Sequence, residues 1–225
     1  MKVAYICGYW SELAGKRPRK PPFYEAYLFC WAVKSGEHHY DFTIEQSTGP
    51  LRITRNNFHL VRPTFGRWAA RKARSWLEDG DMTLVPIPSK VATGDAATYG
   101  SLELVSEAFK GTEYENSILD ALRWTKKIPK AHEGGPRSRA DLLPLLSVRE
   151  EAQPALNGKN VILIDDLLVT GGSALACYDK LTAEGANVLG AITCGKTVYD
   201  KTDPPFGAKQ FELTKELSDQ RDKSP

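Results

Sequence analysis

One segment constrains this chain more than any other: Val161-Ile162-Leu163-Ile164-Asp165-Asp166-Leu167-Leu168-Val169-Thr170-Gly171-Gly172-Ser173. Four consecutive apolar residues predict a strand buried on both faces, as in a parallel sheet. Two carboxylates follow at its C-terminal end, where open α/β sheets bind ligands. A small-residue turn, T-G-G-S, then opens a helix. Such a turn can set backbone N–H groups and two hydroxyls around a phosphate at the positive end of the helix. Gly171 and Gly172 permit the close approach this requires. Asp165 and Asp166 lie about one loop away and are acceptors only. That is the span and chemistry for the two hydroxyls of a pentose whose 5-phosphate fills the turn.

Two other readings of the segment are an ordinary strand–turn–helix and a Walker B strand, which also ends in acids. A literal G-x-x-x-x-G-K-[ST] occurs at Gly190-Ala191-Ile192-Thr193-Cys194-Gly195-Lys196-Thr197. A P-loop needs a strand before its first glycine and a helix after its lysine. Here the apolar run passes through the supposed loop, and Val198 to Pro205 contains no helix start. The match is read as accidental.

Around this segment the sequence alternates between strand and helix patterns. Strands are predicted at 2–7, 40–46, 51–55, 83–88, 161–165 and 187–194. The second and third flank Ser47-Thr48-Gly49-Pro50, a hairpin signal. Helices are predicted at 23–34, 66–78, 101–110, 114–127 and 173–184, with a short one at 140–147 interrupted by Pro144. Residues 15–22 and 128–139 read as loops, and the polar stretch from Lys201 onward as a frayed tail. The expected architecture is a single α/β domain over 1–225: an N-terminal elaboration over 1–65, a core over 66–200 and a tail over 201–225.

No apolar run approaches the ~20 residues of a membrane span, and the first residues read as a strand, not a signal peptide. The expected location is the cytoplasm, with no membrane partner. Cys7, Cys30, Cys177 and Cys194 form no C-x-x-C pair and are expected to be buried free thiols. Residues 1–80 carry 13 Lys or Arg against 7 Asp or Glu, whereas the whole chain is near neutral at +2. The cluster Lys16-Arg17-Pro18-Arg19-Lys20 is the densest part of that excess. It could contact nucleic acid or another anion, or be a solvated surface. His38-His39 reads as surface, not as a metal site.

The 161–173 segment resembles the signature of the type I phosphoribosyltransferase family: four apolar residues, two acids, a variable stretch, then T-G-x-[ST]. The resemblance implies a type I phosphoribosyltransferase core, a Rossmann-like parallel sheet flanked by helices, with residues 1–65 as a small hood-like elaboration. It implies that Asp165 and Asp166 hold the ribose 3- and 2-hydroxyls and that Val169, Thr170, Gly171, Gly172 and Ser173 hold the 5-phosphate of 5-phosphoribosyl-1-pyrophosphate. Residues 84–90 (LVPIPSK) match the family's pyrophosphate loop, with Ser89 and Lys90 facing the leaving group. Catalytic roles fall to Asp165, Asp166 and Lys90. Mg²⁺ would be held mainly through the sugar substrate, with Asp165 and Asp166 as the protein's metal-facing acids.

The family closes a loop over its substrate. Residues 125–139 fit that part, with Lys126, Lys127, Lys130, His132, Arg137 and Arg139 supplying positive charge. The nitrogenous acceptor, a base or an amine, would meet Tyr24, Tyr27, Trp31 and Phe58. The order of features is similar to ComF-type and amidophosphoribosyltransferase-like proteins. The zinc ribbon of that group is absent, and Val91-Ala92-Thr93-Gly94-Asp95 replaces its R-G-x-N-Q segment. Two functions follow as expectations: phosphoribosyl transfer, or a non-catalytic sugar-phosphate or nucleotide sensor that contacts nucleic acid. Family members often form homodimers.

Overall fold

The computed structural model describes residues 1–10, 21–77, 80–89, 96–129, 134–198 and 204–216. Its centre is a five-stranded sheet in the order β4-β7-β8-β1-β9. The strands are β1 (Lys2–Trp10), β4 (Met82–Pro86), β7 (Asn160–Leu168), β8 (Asn187–Val198) and β9 (Phe206–Glu212). β4, β7, β8 and β1 run parallel, and β9 is antiparallel to β1.

The apolar run of β7 explains this core. Val161, Ile162, Leu163 and Ile164 are all fully buried, and alternate residues point to opposite faces of the sheet. Ile162 and Ile164 join the cluster beneath α1 (Phe23–Ser35), α2 (Val61–Arg74) and α3 (Ala96–Phe109). Val161 and Leu163 join the cluster on the other face, beneath α4 (Arg139–Leu142) and α5 (Gly172–Ala183). The sheet is thus sandwiched between helices, an α/β architecture as expected. Arg62 ties the first helical layer together. Its Nε donates to the Val33 carbonyl of α1 at 3.0 Å, and its Nη1 lies 2.8 Å from Glu107 of α3. Two small antiparallel pairs complete the fold: β2 (Phe42–Ile44) with β3 (Leu51–Ile53), and β5 (Leu122–Trp124) with β6 (Leu146–Val148). The first is the predicted hairpin. The supposed P-loop at 190–197 lies wholly within β8, where strand pairing precludes it.

The structure corrects three elements. β1 was grouped with the N-terminal elaboration, yet it lies inside the main sheet between β8 and β9, and α1 packs directly on it. Residues 114–127 were expected to be helical. Instead Leu122 and Trp124 are buried on either side of Arg123, a period of two, and pair with β6. The stretch from 201 onward was expected to fray, but 206–212 is an edge strand. Phe211 packs edge-on against Tyr5 at 6.1 Å, and Leu213 is fully buried. The surrounding prolines and charges hide that short alternation in the sequence. The basic cluster 16–20 lies outside the described residues. No helix among the described residues is long and apolar enough to cross a membrane.

Truncating the buried side chains of β7 should therefore be costly. Leu163→Ala is expected to lower stability by about 3 kcal/mol, whereas Tyr40→Ala, at a 62% exposed side chain, should change it by less than about 0.5 kcal/mol. Urea denaturation midpoints check both.

Candidate functional site

β7 delivers its two acids to the C-terminal edge of the sheet. Asp165 and Asp166 follow the last buried residue of the apolar run and are themselves half-buried. The neighbouring strand brings the second predicted segment alongside. Pro86 pairs with Ile164, and the Ile87 N–H donates to the Ile164 carbonyl at 2.9 Å. The Trp124 indole N–H donates to the Pro88 carbonyl at 3.0 Å, fixing the exit of this segment. Ser89 follows, half-buried; Lys90 lies outside the described residues.

The acids are not equivalent. Lys34, on α1, places its Nζ 2.7 Å from Asp166 Oδ2. The Asp166 backbone N–H donates to Asp165 Oδ1 at 2.9 Å. Burial, and then the like charge of Asp166, push the Asp165 carboxyl well above the usual carboxylate range, with Lys34 opposing them. One acid thus has an ammonium partner, and the other has the backbone N–H of its neighbour. Sequence reasoning gave Lys34 no role in this pair. The two residues lie 132 positions apart, so no local spacing could have found the contact.

The turn after β7 is built by close packing. Gly171 is the N-cap of α5 at φ 93°, in the left-handed region that favours glycine. A side chain there would also strike the Leu213 methyl groups, which cover the turn from beyond β9. A Cβ at Gly172 would run into the Arg137 carbonyl. Thr170 Oγ1 accepts the Gly172 N–H at 3.4 Å, while Val169 is 45% exposed. Ser173 is half-buried in the first turn of α5, which contains no acidic residue. Nothing in that turn opposes an anion at the helix N-terminus.

The candidate substrate loop, 125–139, divides into two parts. Lys126 and Lys127 are exposed, Ile128 is buried in the core, and Lys130 and His132 lie outside the described residues. Its far end is anchored to the T-G-G-S turn and α5. The Arg137 backbone abuts Gly172, Ser138 caps α4, and the Arg139 guanidinium pairs with Asp179 of α5. The aromatic candidates for an acceptor spread out. Tyr24 stacks on Tyr27 at 6.2 Å, Trp31 is 43% exposed, and Phe58 meets His38 edge-on. Tyr27 lies seven residues before Lys34, on the same line of α1. His38 pairs with Asp41 and His39 with Glu37, in keeping with a surface role.

No protein-family model matches the chain. Part of it is similar to orotate phosphoribosyltransferases of Bacillus. The Bacillus mycoides protein is 31% identical over 108 residues, 44% of this chain and 48% of its own length. The Bacillus anthracis protein is 31% identical over 104 residues, 42% and 46%. The chain spans about half the length of the curated relatives it matches. Among solved structures, adenine phosphoribosyltransferase from Saccharomyces cerevisiae matches with a TM-score of 0.40 at 14% identity, over 75% of this chain and 88% of its own. Orotate phosphoribosyltransferase from Mycobacterium tuberculosis matches with a TM-score of 0.33 at 16% identity, over 77% and 94%. The parallel sheet, the paired acids, the T-G-G-S turn and the similarity in sequence support the type I phosphoribosyltransferase family.

The packing around the turn makes a direct prediction. Gly172→Ala must displace the Arg137 backbone and is expected to weaken ribose 5-phosphate binding by about tenfold or more. Gly100→Ala, where an added Cβ meets nothing within 4 Å, should leave the affinity unchanged. Calorimetric titration of both variants distinguishes local clash from a general effect.

Proposed function

We propose that the protein transfers a 5-phosphoribosyl group from 5-phosphoribosyl-1-pyrophosphate to a nitrogenous acceptor, or catalyses the reverse reaction. The observation that carries this reading is the convergence at one sheet edge of Asp165, Asp166 and an acid-free helix N-terminus behind Thr170-Gly171-Gly172. In this reading the turn 169–173 receives the 5-phosphate through backbone N–H groups and hydroxyls. Asp165 and Asp166 accept the ribose 3- and 2-hydroxyls. Lys34 pairs with Asp166 Oδ2 and so helps to orient that carboxylate.

The acceptor nitrogen forms a bond to C1 while the bond from C1 to the pyrophosphate oxygen breaks, and the pyrophosphate leaves with that electron pair. Positive charge develops on the sugar ring in between, close to the carboxylate face of the site. Ser89 and Lys90 are assigned to the leaving group; Ser89 follows the strand that pairs with β7. The exposed Lys126 and Lys127 of the candidate loop are proposed to add positive charge there. Asp165 and Asp166 offer carboxylate oxygens, the ligand type that Mg²⁺ takes. When bound, Mg²⁺ would supply charge neutralisation of the pyrophosphate, with these two acids as the protein's oxygen donors. The matched relatives are named for orotate, so a pyrimidine carboxylate heads the list of acceptors to try. Tyr27, seven residues before Lys34 on α1, is proposed as the aromatic residue that stacks on it.

The test is exchange of labelled pyrophosphate into the activated sugar across a panel of bases and amines, orotate first. Turnover on at least one acceptor is expected. In the double variant Asp165→Asn/Asp166→Asn, ribose 5-phosphate affinity should fall at least about 100-fold, from the loss of hydrogen bonds to charged groups. Unaltered affinity in that variant, with the fold intact by circular dichroism, would falsify the assignment of the sugar site.

A further inference from the structure

The four cysteines are all buried and free, as expected, but they are not scattered. Cys7 from β1, Cys30 from α1 and Cys194 from β8 converge under the sheet edge that carries Asp166. Their sulfurs all lie within 4.8 Å of one another, and Cys7 Sγ is 3.1 Å from Cys30 Sγ. Cys177 stays apart, on α5 in the opposite core cluster.

We propose that Cys7, Cys30 and Cys194 form a buried thiolate site for one thiophilic d10 cation, of the class that comprises Zn²⁺ and Cu⁺. Metal–sulfur bonds of ~2.3 Å set sulfur–sulfur separations of about 3.7–4.0 Å in tetrahedral or trigonal geometry. The observed separations, from 3.1 Å to at most 4.8 Å, bracket those values. Thiolates select Zn²⁺ and Cu⁺ over Mg²⁺, so this site differs in kind from the oxygen donors at Asp165 and Asp166. Among the described residues no His, Asp or Glu joins the three sulfurs. Three sulfurs complete a trigonal Cu⁺ site and leave Zn²⁺ one position for water.

A further feature favours a site over incidental packing of small side chains. Gly195 lies opposite Cys7 in the β1–β8 pair, and any Cβ there would collide with Cys30 Sγ. The sheet thus leaves room for that sulfur between two strands. A bound ion would also pin α1 to β1 and β8 one helical turn before Lys34, holding that ammonium opposite Asp166.

The experiment uses the full chain, purified reduced and without chelators, with metal content measured by mass spectrometry. The metal-free protein is then titrated with Co²⁺ as a Zn²⁺ probe, and with Cu⁺ against a competing chromophoric chelator. About one equivalent of one ion per chain is expected, with a thiolate-to-cobalt charge-transfer band that saturates there if the site takes Zn²⁺. Saturation with Cu⁺ alone assigns the trigonal ion. Cys7→Ser and Cys194→Ser should each cut occupancy to below about a tenth of an equivalent, while Cys177→Ser retains it. If the variants fail to fold, the wild-type titration decides. The proposal is overturned if folded wild-type chain with four reactive thiols binds neither ion at one equivalent, or if Cys7 and Cys30 are isolated as a disulfide without metal. Because no readout involves turnover, its failure is distinct from failure of the phosphoribosyl reading.

Discussion

A strand buried on both faces cannot keep charged residues along its length, because an unpaired buried carboxylate costs several kcal/mol. β7 obeys that constraint: four fully buried aliphatic residues come first, and the two acids come where its pairing with β4 has ended, although β7 stays paired with β8 as far as Leu168. The rest of the site follows from this placement. β4 must pair beside β7 to bring its own loop to the same edge, and α5 must start where β7 stops. Even the ammonium that compensates Asp166 has to arrive from a helix lying across that edge, and α1 supplies it.

What could be read in the chain was what is local. The apolar run, the acids and the two glycines of the turn are contiguous, so periodicity and residue chemistry place them without knowledge of the fold. The hairpin at 42–53 was equally legible, because both strands and the turn between them fall within twelve residues. What escaped was long-range. Lys34 and Asp166 meet only because α1 crosses the sheet, and Cys7, Cys30 and Cys194 meet only because β1 inserts next to β8. β1 itself was misplaced for the same reason: nothing in Lys2 to Trp10 says which strands it will join. β9 was hidden in another way, since its alternation is short and sits between Pro205 and a charged stretch.

α1 has an unusual double duty. Its residues are apolar on several faces, which made it look like an ordinary packed helix. It is packed, against the sheet and the hairpin alike, and Glu25 also accepts the Thr43 N–H to hold the hairpin in place. Yet one turn of the same helix sends a thiol down into the sheet and an ammonium out to an acid. Structural support and electrostatic tuning are therefore carried by adjacent residues, and a shift of the helix would alter both together.

The contact between Gly172 and the Arg137 carbonyl has a consequence for how this chain can diverge. Two segments far apart in sequence share one small volume, and backbone, not a pliable side chain, fills it. A larger residue at position 172 is admissible only in a lineage where the path of the chain through 136–139 has already moved. Substitution at these two places is thus ordered in time, with the loop rerouted first. Homologues with a bulkier residue there should show an altered length or turn just before α4.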